Sequence, residues 1–284
     1  MDTIYENENS EAPQEETLLP VVALGTAAIR MARTLNEKFG GLDLYEISDI
    51  RKKGESPEFA PALAIPESSP VRLLMYDRAE VEGDMAKAMA EKAKTGGKLF
   101  TFEIAAPGEK MRPSWRLGTD VLVRAKDEVQ CLAAAGLLLH MASPQQPVAI
   151  DADDVLSLFD GTDVVHVGIG TATGAHAVDV AVEQALGALV WKPEFLRGIL
   201  LSITGNESLG MKEIDAATTA IMERASKDCN IVFGAEVDPA IEDDVRVTIL
   251  ATCGKRKDSH DASEWMMEML EEKFKHGDNA LWEG

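Results

Sequence analysis

Residues 164–181 read VVHVGIGTATGAHAVDVA, and this stretch decides the kind of fold to which the second half of the chain belongs. The run from Val164 to Val167 predicts a buried strand, and the last residues of the stretch predict a helix. Between them lie three glycines and two threonines: Gly168, Gly170, Thr171, Thr173 and Gly174. A strand, a glycine turn and a helix N-terminus are typical of phosphate sites, because free N–H groups and the helix dipole favour an anion. A tight structural turn needs the same residues, so both interpretations are open at this point.

Composition narrows the class of protein. The 284 residues are 45% hydrophobic and carry a net charge of −21, which predicts a globular chain with enough sequence for two modest domains. Nucleic acid and anionic membranes would be repelled by that charge, so we expect neither nucleic-acid binding nor direct membrane binding. The expected partners are proteins.

Targeting, thiol and metal signals are weak. The first residues, MDTIYENENSEAPQEE, have neither a basic start nor an apolar core, and no apolar run is long enough for a membrane span, so we expect a cytoplasmic protein. The three widely spaced cysteines, Cys131, Cys229 and Cys253, favour buried free thiols over disulfides. The five histidines show no metal-ligand spacing, so no metal site is predicted.

Hydrophobic patterning predicts an α/β protein with alternating strands and helices. Predicted strands in the first half are VVAL, LDLYEI, VRLLMY, KLFTFEI and DVLVRA; the helices begin at TAAIRMA, at MAKAMAEKA behind an Asp84 cap, and at EVQCLAAAGLLLHMA. In the second half a helix from Asp151 precedes the strand DVVHVGIG. There follow the helix AHAVDVAVEQAL, the strand LRGILLSI, the helix LGMKEIDAATTAIMERAS and the strands CNIVFGAEV and VRVTILAT. Four prolines between residues 49 and 70 predict a long surface loop.

Six pieces of the second half occur in the order and spacing of one family: GIGTATG, AVEQAL, RGILLSITG, KEIDAA, CNIVFGAEVD and DDVRVTILATCG. Over residues 148–254 the chain resembles the C-terminal domain of the FtsZ and tubulin family of cytoskeletal GTPases. VVALGTAAIRMA, VRLLMY to KLFTFEI and TDVLVRAKDE resemble the nucleotide domain of that family in outline. The resemblance implies a two-domain α/β fold, a truncated doubly wound N-terminal domain and a smaller C-terminal α/β domain joined by a central helix.

The implied organisation has five parts. Residues 1–20 form an acidic disordered tail, 21–125 a degenerate nucleotide-binding-type domain, and 126–146 the central connecting helix and loop. Residues 147–256 form the C-terminal-type domain, and 257–284 a tail with an amphipathic helix. In such a domain the family uses a turn like GIGTATG structurally, so the resemblance favours a structural role for this one.

The resemblance places the two nucleotide loops at residues 25–28 and 77–84, each of which holds one glycine. Only Gly25 remains of the family's first glycine loop, followed by Thr26, which either contacts a phosphate or caps the helix. The second loop, DRAEVEGD at residues 77–84, carries four carboxylates against one arginine, and like charges about 4 Å apart near a surface repel by ~4 kcal/mol. We expect a solvated acidic loop, no competent GTP binding and no cofactor, with GTP and magnesium as the alternative.

The family's catalytic carboxylates have counterparts in PVAIDADDV. In the family, a loop after the central helix inserts carboxylates into the nucleotide pocket of the next subunit, and Asp151 and Asp154 match those positions. Ala149 replaces the family's usual Asn. Both aspartates fit a water-orienting role, or capping and dipole complementation at the helix that follows.

The sequence is compatible with three functions. The preferred hypothesis is an FtsZ-like cell-division or cytoskeletal protein with an eroded GTP site. Such a protein acts through subunit contacts, as a partner, cap or modulator of filaments of an active FtsZ, or through self-association. The alternatives are a divergent but active polymerising GTPase and a reused fold that serves as a scaffold or sensor. In the last case the acidic tail and the C-terminal helix are the binding elements. That helix, SEWMMEMLEEKFK, has the apolar residues Trp265, Met266, Met269, Leu270 and Phe274 near one face, and it docks either on its own domain or on a partner.

Overall fold

The computed structural model describes residues 19–48, 65, 71–94, 97–104, 117–141, 152–162, 164–189, 196–239, 241 and 244–252. The first half contains the strands β1 (Leu19–Leu24), β2 (Leu42–Ile47), β3 (Val71–Asp77), β4 (Lys98–Ile104) and β5 (Val121–Ala125), and the helices α1 (Gly25–Phe39), α2 (Gly83–Ala93) and α3 (Glu128–Met141). The second half contains the helices α4 (Ala152–Leu158), α5 (Ala177–Gly187) and α6 (Met211–Arg224), and the strands β6 (Val164–Ala172), β7 (Gly198–Gly205), β8 (Asn230–Val237) and β9 (Val245–Thr252).

One nine-stranded sheet runs through both halves in the order β2-β1-β3-β4-β5-β6-β9-β7-β8. Strands β2 to β6 are parallel, β9 is antiparallel to both of its neighbours, and β7 and β8 are parallel. Leu122, Val123 and Arg124 of β5 pair with the first residues of β6, so backbone hydrogen bonds join the two halves directly.

Helices cover both faces of the sheet. On the first face α1, α3 and α4 bury a cluster that reaches from Val21 in β1 to Leu250 in β9. On the second face α2 covers the parallel strands, and α5 and α6 cover the strands of the second half. The parallel strands are apolar on both faces because helices lie over each of them, as in doubly wound sheets.

Each strand and helix predicted within the described residues is present, which confirms the α/β fold. Helix α1 ends as expected at Gly40, which has φ 68° and whose N–H donates to Asn36 O. Two local predictions are wrong. Strand β1 already begins at Leu19, and the N-cap of α2 is Glu82, which makes no side-chain cap bond, with Asp84 in the first turn.

Candidate functional site

The sheet changes its winding direction between β1 and β3. From β1 the chain passes through α1 to β2 on one side, whereas β3 pairs with β1 on the other side and leads into α2 on the opposite face. In open α/β sheets a ligand binds at such a switch point, outside the carboxyl ends of the strands. We call this place the switch-point crevice; it lies between the N-terminus of α1 and the loop 78–82.

The first wall of the crevice is the junction of β1 and α1, which has no connecting loop. Strand β1 ends at Leu24 and α1 begins at the buried Gly25, whose φ of 88° accounts for a glycine at this position. Of the two roles open for Thr26, the capping of α1 is wrong, because Leu24 holds the N-cap position and no side chain there makes the cap bond. The exposed Thr26 instead offers its backbone N–H to the crevice.

The second wall is the loop after β3, and its Glu80 occupies the N-terminus of α1. The N–H of Thr26 donates to Glu80 Oε2 at 2.6 Å, and the N–H of Ala27 lies 3.3 Å from both carboxylate oxygens. The loop itself is an ordered turn, since the N–H groups of Glu80 and Val81 donate to Asp77 O at 3.0 and 2.9 Å. Glu80 is exposed, as expected for a solvated loop, and its carboxylate also lies where free N–H groups would meet an anion.

A buried ion cluster lies beneath the crevice at the carboxyl ends of β3, β4 and β5. Glu103 accepts a hydrogen bond from Tyr76, and its carboxylate lies 3.5 Å from Arg78 and 3.0 Å from Arg124. Burial, together with the Glu103 carboxylate, raises the pKa of Tyr76 well above its ordinary value. The single carboxylate of Glu103 contacts both guanidinium groups and offsets one of their two positive charges.

His166 continues this polar layer into the second half. It pairs in register with Arg124, is buried, and has a pKa lowered to about 3 by burial and by the Arg124 charge. His166 is therefore neutral near pH 7, which agrees with its position in a packed sheet.

Two glycines of the stretch 168–174, Gly168 and Gly170, lie in β6, which runs to Ala172, and they serve packing. A Cβ on Gly168 would lie 2.1 Å from Ala185 O, and one on Gly170 would lie 1.9 Å from Ala181 O, so both glycines let α5 approach β6. Gly174 has φ 91°, and its N–H donates to the carboxylate of Asp244 at 2.6 Å. The structural interpretation of this stretch is confirmed, because the close contacts of Gly168 and Gly170 and the N–H of Gly174 are used within the protein.

Of the two aspartates predicted to act on a neighbouring subunit, the structure describes only Asp154. Asp151 lies outside the described residues. Asp154 lies exposed on α4, and its backbone carbonyl accepts a hydrogen bond from the Ser157 hydroxyl at 2.7 Å. The structure therefore leaves the Asp154 carboxylate open to solvent, remote in sequence from the crevice.

Sequence reasoning missed the bonds of Glu80 and the buried ion cluster. For Glu103 and Arg124 a signal existed, because each is a charged residue near the end of an otherwise apolar strand, and buried charges are almost always paired. For Glu80 no local signal existed, since its partners are 53 and 54 residues away in sequence.

Three remaining predictions meet the structure in part. Cys131 and Cys229 are free thiols; the first is buried and the second is half-buried. The third cysteine, Cys253, lies outside the described residues, and so do the acidic tail up to residue 18 and the segment 257–284. Burial raises the pKa of the Cys131 thiol to about 12. Among the helices that the structure describes, none is long and apolar enough to cross a membrane.

Known proteins share the fold of this chain. Residues 163–255 match the family model of the FtsZ family C-terminal domain. The fold is similar to a dimeric, empty FtsZ from M. jannaschii (17% identity, 84% of this chain and 89% of that chain, TM-score 0.72). It is also similar to GDP-bound monomeric CetZ1 from Haloferax volcanii (13% identity, 90% and 99%, TM-score 0.62) and to CetZ from Methanosaeta thermophila (10% identity, 92% and 95%, TM-score 0.55). The chain therefore has the fold of FtsZ and CetZ, and its residues 163–255 match the C-terminal domain of the FtsZ family.

Proposed function

We propose that this chain is an FtsZ-like protein whose nucleotide site is closed by its own carboxylates and that it acts through protein contacts, as a partner, cap or modulator of FtsZ-type filaments. The observation that carries the proposal is the bond between the Glu80 carboxylate and the N-terminal amides of α1. In a nucleotide-binding protein that helix end holds phosphate.

Two further features support a closed site. No loop separates β1 from α1, so the backbone offers no glycine-rich concavity for close approach of a phosphate chain. Beneath the crevice Glu103 offsets one of the two arginine charges, and a triphosphate would have to displace Glu80 and remain near its charge. Each close pair of like charges near a surface costs ~4 kcal/mol, which is enough to remove micromolar affinity.

The protein-contact part of the proposal concerns the surface of α4. In this proposal the exposed Asp154, with Asp151 before it, belongs to the face that meets the next subunit. A chain that keeps this face without a working nucleotide site can join one end of a filament without supporting further growth.

Co-sedimentation with an active FtsZ tests the contact. We expect this protein to change polymer mass, filament length or GTPase rate, and Asp154→Lys to weaken that change. Glu91→Lys is the matched control, because Glu91 is an exposed carboxylate on α2, on the opposite face of the sheet. An active FtsZ that behaves identically with and without this protein would contradict the proposal.

A further inference from the structure

A cleft opens between the helices of the first half and the sheet of the second half. Its volume is about 430 Å³, and it lies between α1 and α3 on one side and β6, β7, β8 and β9 on the other. This volume lies within the range of sites that hold ligands or several inserted side chains, about 300–1,000 Å³. We call it the α3 cleft.

The helical wall of the α3 cleft is apolar. Leu35 and Phe39 of α1 and Leu132 and Leu137 of α3 line it, and Val129 stands at its edge with 69% of its surface exposed. Among the described residues few large apolar side chains are as exposed as Val129, and burying such a side chain contributes about 1.5–3 kcal/mol. The wall therefore favours an occupant with an apolar face.

The sheet wall is polar and carries a cation. The strand register places Thr171, Arg246, Thr204 and Glu236 in one row across β6, β9, β7 and β8. The structure gives Arg246 no ion pair within its described part, and Lys38 of α1 lines the same cleft. In a chain of net charge −21, a cleft with two cations and one carboxylate attracts an acidic occupant.

The C-terminal segment of the chain has the matching chemistry. Residues 264–275 read EWMMEMLEEKFK, with four glutamates and two lysines, and the sequence predicts a helix with its large apolar residues near one face. An amphipathic helix binds a groove by inserting such apolar residues at helical spacing.

The segment is also tethered within reach. Strand β9, which carries the cleft residues Arg246 and Thr248, ends at Thr252, about 14 Å along the strand from Thr248 at 3.4 Å per residue. The 12 residues between Thr252 and Trp265 span up to about 40 Å when extended, which is more than the path back to the cleft requires.

We propose that residues 264–275 dock in the α3 cleft of their own chain, with Trp265, Met269 and neighbouring apolar residues against α3 and glutamates towards Arg246. The docking covers Val129 and pairs Arg246. It does not depend on the state of the nucleotide site, so its test is independent of the proposed function.

Disulfide trapping in the full-length chain tests the docking. In a background with Cys131→Ala, Cys229→Ser and Cys253→Ser, the pair Val129→Cys and Met269→Cys is oxidised mildly and its cross-linking is followed on non-reducing gels. The matched control pairs Met269→Cys with Met222→Cys, because Met222 is 65% exposed on α6, on the opposite face of the sheet. We expect the Val129 pair to cross-link within one chain about tenfold faster, at a rate independent of protein concentration, because docking raises the effective concentration. Adding Arg246→Glu should slow this reaction, and Arg246→Lys should leave it fast.

Equal rates for the two pairs would overturn the proposal, and so would cross-links that form only between chains, which would assign the cleft to a second copy. Hydrogen exchange keeps the test decisive if the cysteine background folds poorly. In the chain with its natural cysteines, Trp265→Asp should raise amide exchange in residues 264–275 and around the α3 cleft, whereas Trp282→Asp should not. Unchanged exchange in the Trp265 variant would also contradict the docking.

Discussion

At the residue scale, Glu80 does for α1 what a bound phosphate does for a helix in a nucleotide-binding protein. Its carboxylate accepts hydrogen bonds from two N–H groups that the helix cannot satisfy itself, and its negative charge faces the positive end of the helix dipole. A side chain supplied by the chain is always present at the helix end, whereas a nucleotide is present only when it binds.

Glu80→Ala should destabilise the protein because it removes this cap. We expect a loss of about 1 kcal/mol in the free energy of unfolding, measured by urea denaturation, as for other lost N-terminal caps. Glu82→Ala is the matched control: it removes the same charge from the same loop, and Glu82 makes no side-chain cap bond to a helix. Equal effects of the two substitutions would mean that loop charge, and not the bonds to α1, sets the stability.

His166 should make stability depend on pH below neutrality. The unfolded chain takes up this proton near the ordinary pKa of 6.5, whereas the folded pKa is about 3, so the unfolded state binds more protons between these values. Stability should therefore fall as the pH is lowered from about 6.5 towards 3, with a contribution of up to about 1.4 kcal/mol per pH unit.

Comparison of variants isolates this contribution from that of the carboxylates. His166→Gln should flatten the pH dependence of unfolding between pH 6 and 4, whereas the exposed His176→Gln should leave it unchanged. A His166→Gln protein with the wild-type slope would show that the buried imidazole is not the group that titrates.

At the element scale, the contact between α5 and β6 depends on glycines. Both Gly168 and Gly170 face the helix, and the nearest helix atoms are backbone carbonyl oxygens, which cannot turn aside as a side chain could. The close approach lets α5 bury Ala181 and Ala185 against the sheet. The glycines that resemble a phosphate site in sequence are therefore the part of β6 on which α5 packs.

Gly170→Ala should push α5 away from the sheet. Its Cβ would lie 1.9 Å from Ala181 O, and we expect a loss of about 3 kcal/mol or more in the free energy of unfolding. Gly187→Ala, at the end of the same helix, has open space for a Cβ and should be neutral or slightly stabilising. Thermal and urea unfolding of both variants measure the difference, and a Gly170→Ala protein as stable as wild type would disprove the packing role.

At the scale of the whole molecule, one sheet carries both halves, so the crevice at β1 and β3 and the α4 surface belong to one continuous framework. The buried layer of Tyr76, Glu103, Arg124 and His166 crosses the junction between the two halves. This arrangement links the candidate site to the FtsZ-type domain through hydrogen-bonded strands.

The fold could be predicted from the sequence because its signals are local. Apolar runs, prolines and glycines such as Gly40 mark strands, loops and helix ends within a few residues. The site could be predicted only in position, since β1, α1 and the loop after β3 were identified but their contact was not. Glu80 reaches α1 across 54 residues of chain, and Glu103 joins arginines from two other segments. Such pairings depend on the strand order, which no single stretch of sequence contains.

Calorimetric titration of the purified full-length protein with GTP and Mg²⁺ tests the central claim, that the chain's own carboxylates close the nucleotide site. An active FtsZ titrated under the same conditions is the positive control. The closed site predicts no saturable heat at ligand concentrations up to roughly 500 μM, since repulsion from Glu80 removes micromolar affinity. Saturable binding of one GTP per chain, with a Kd at or below about 10 μM, would contradict it.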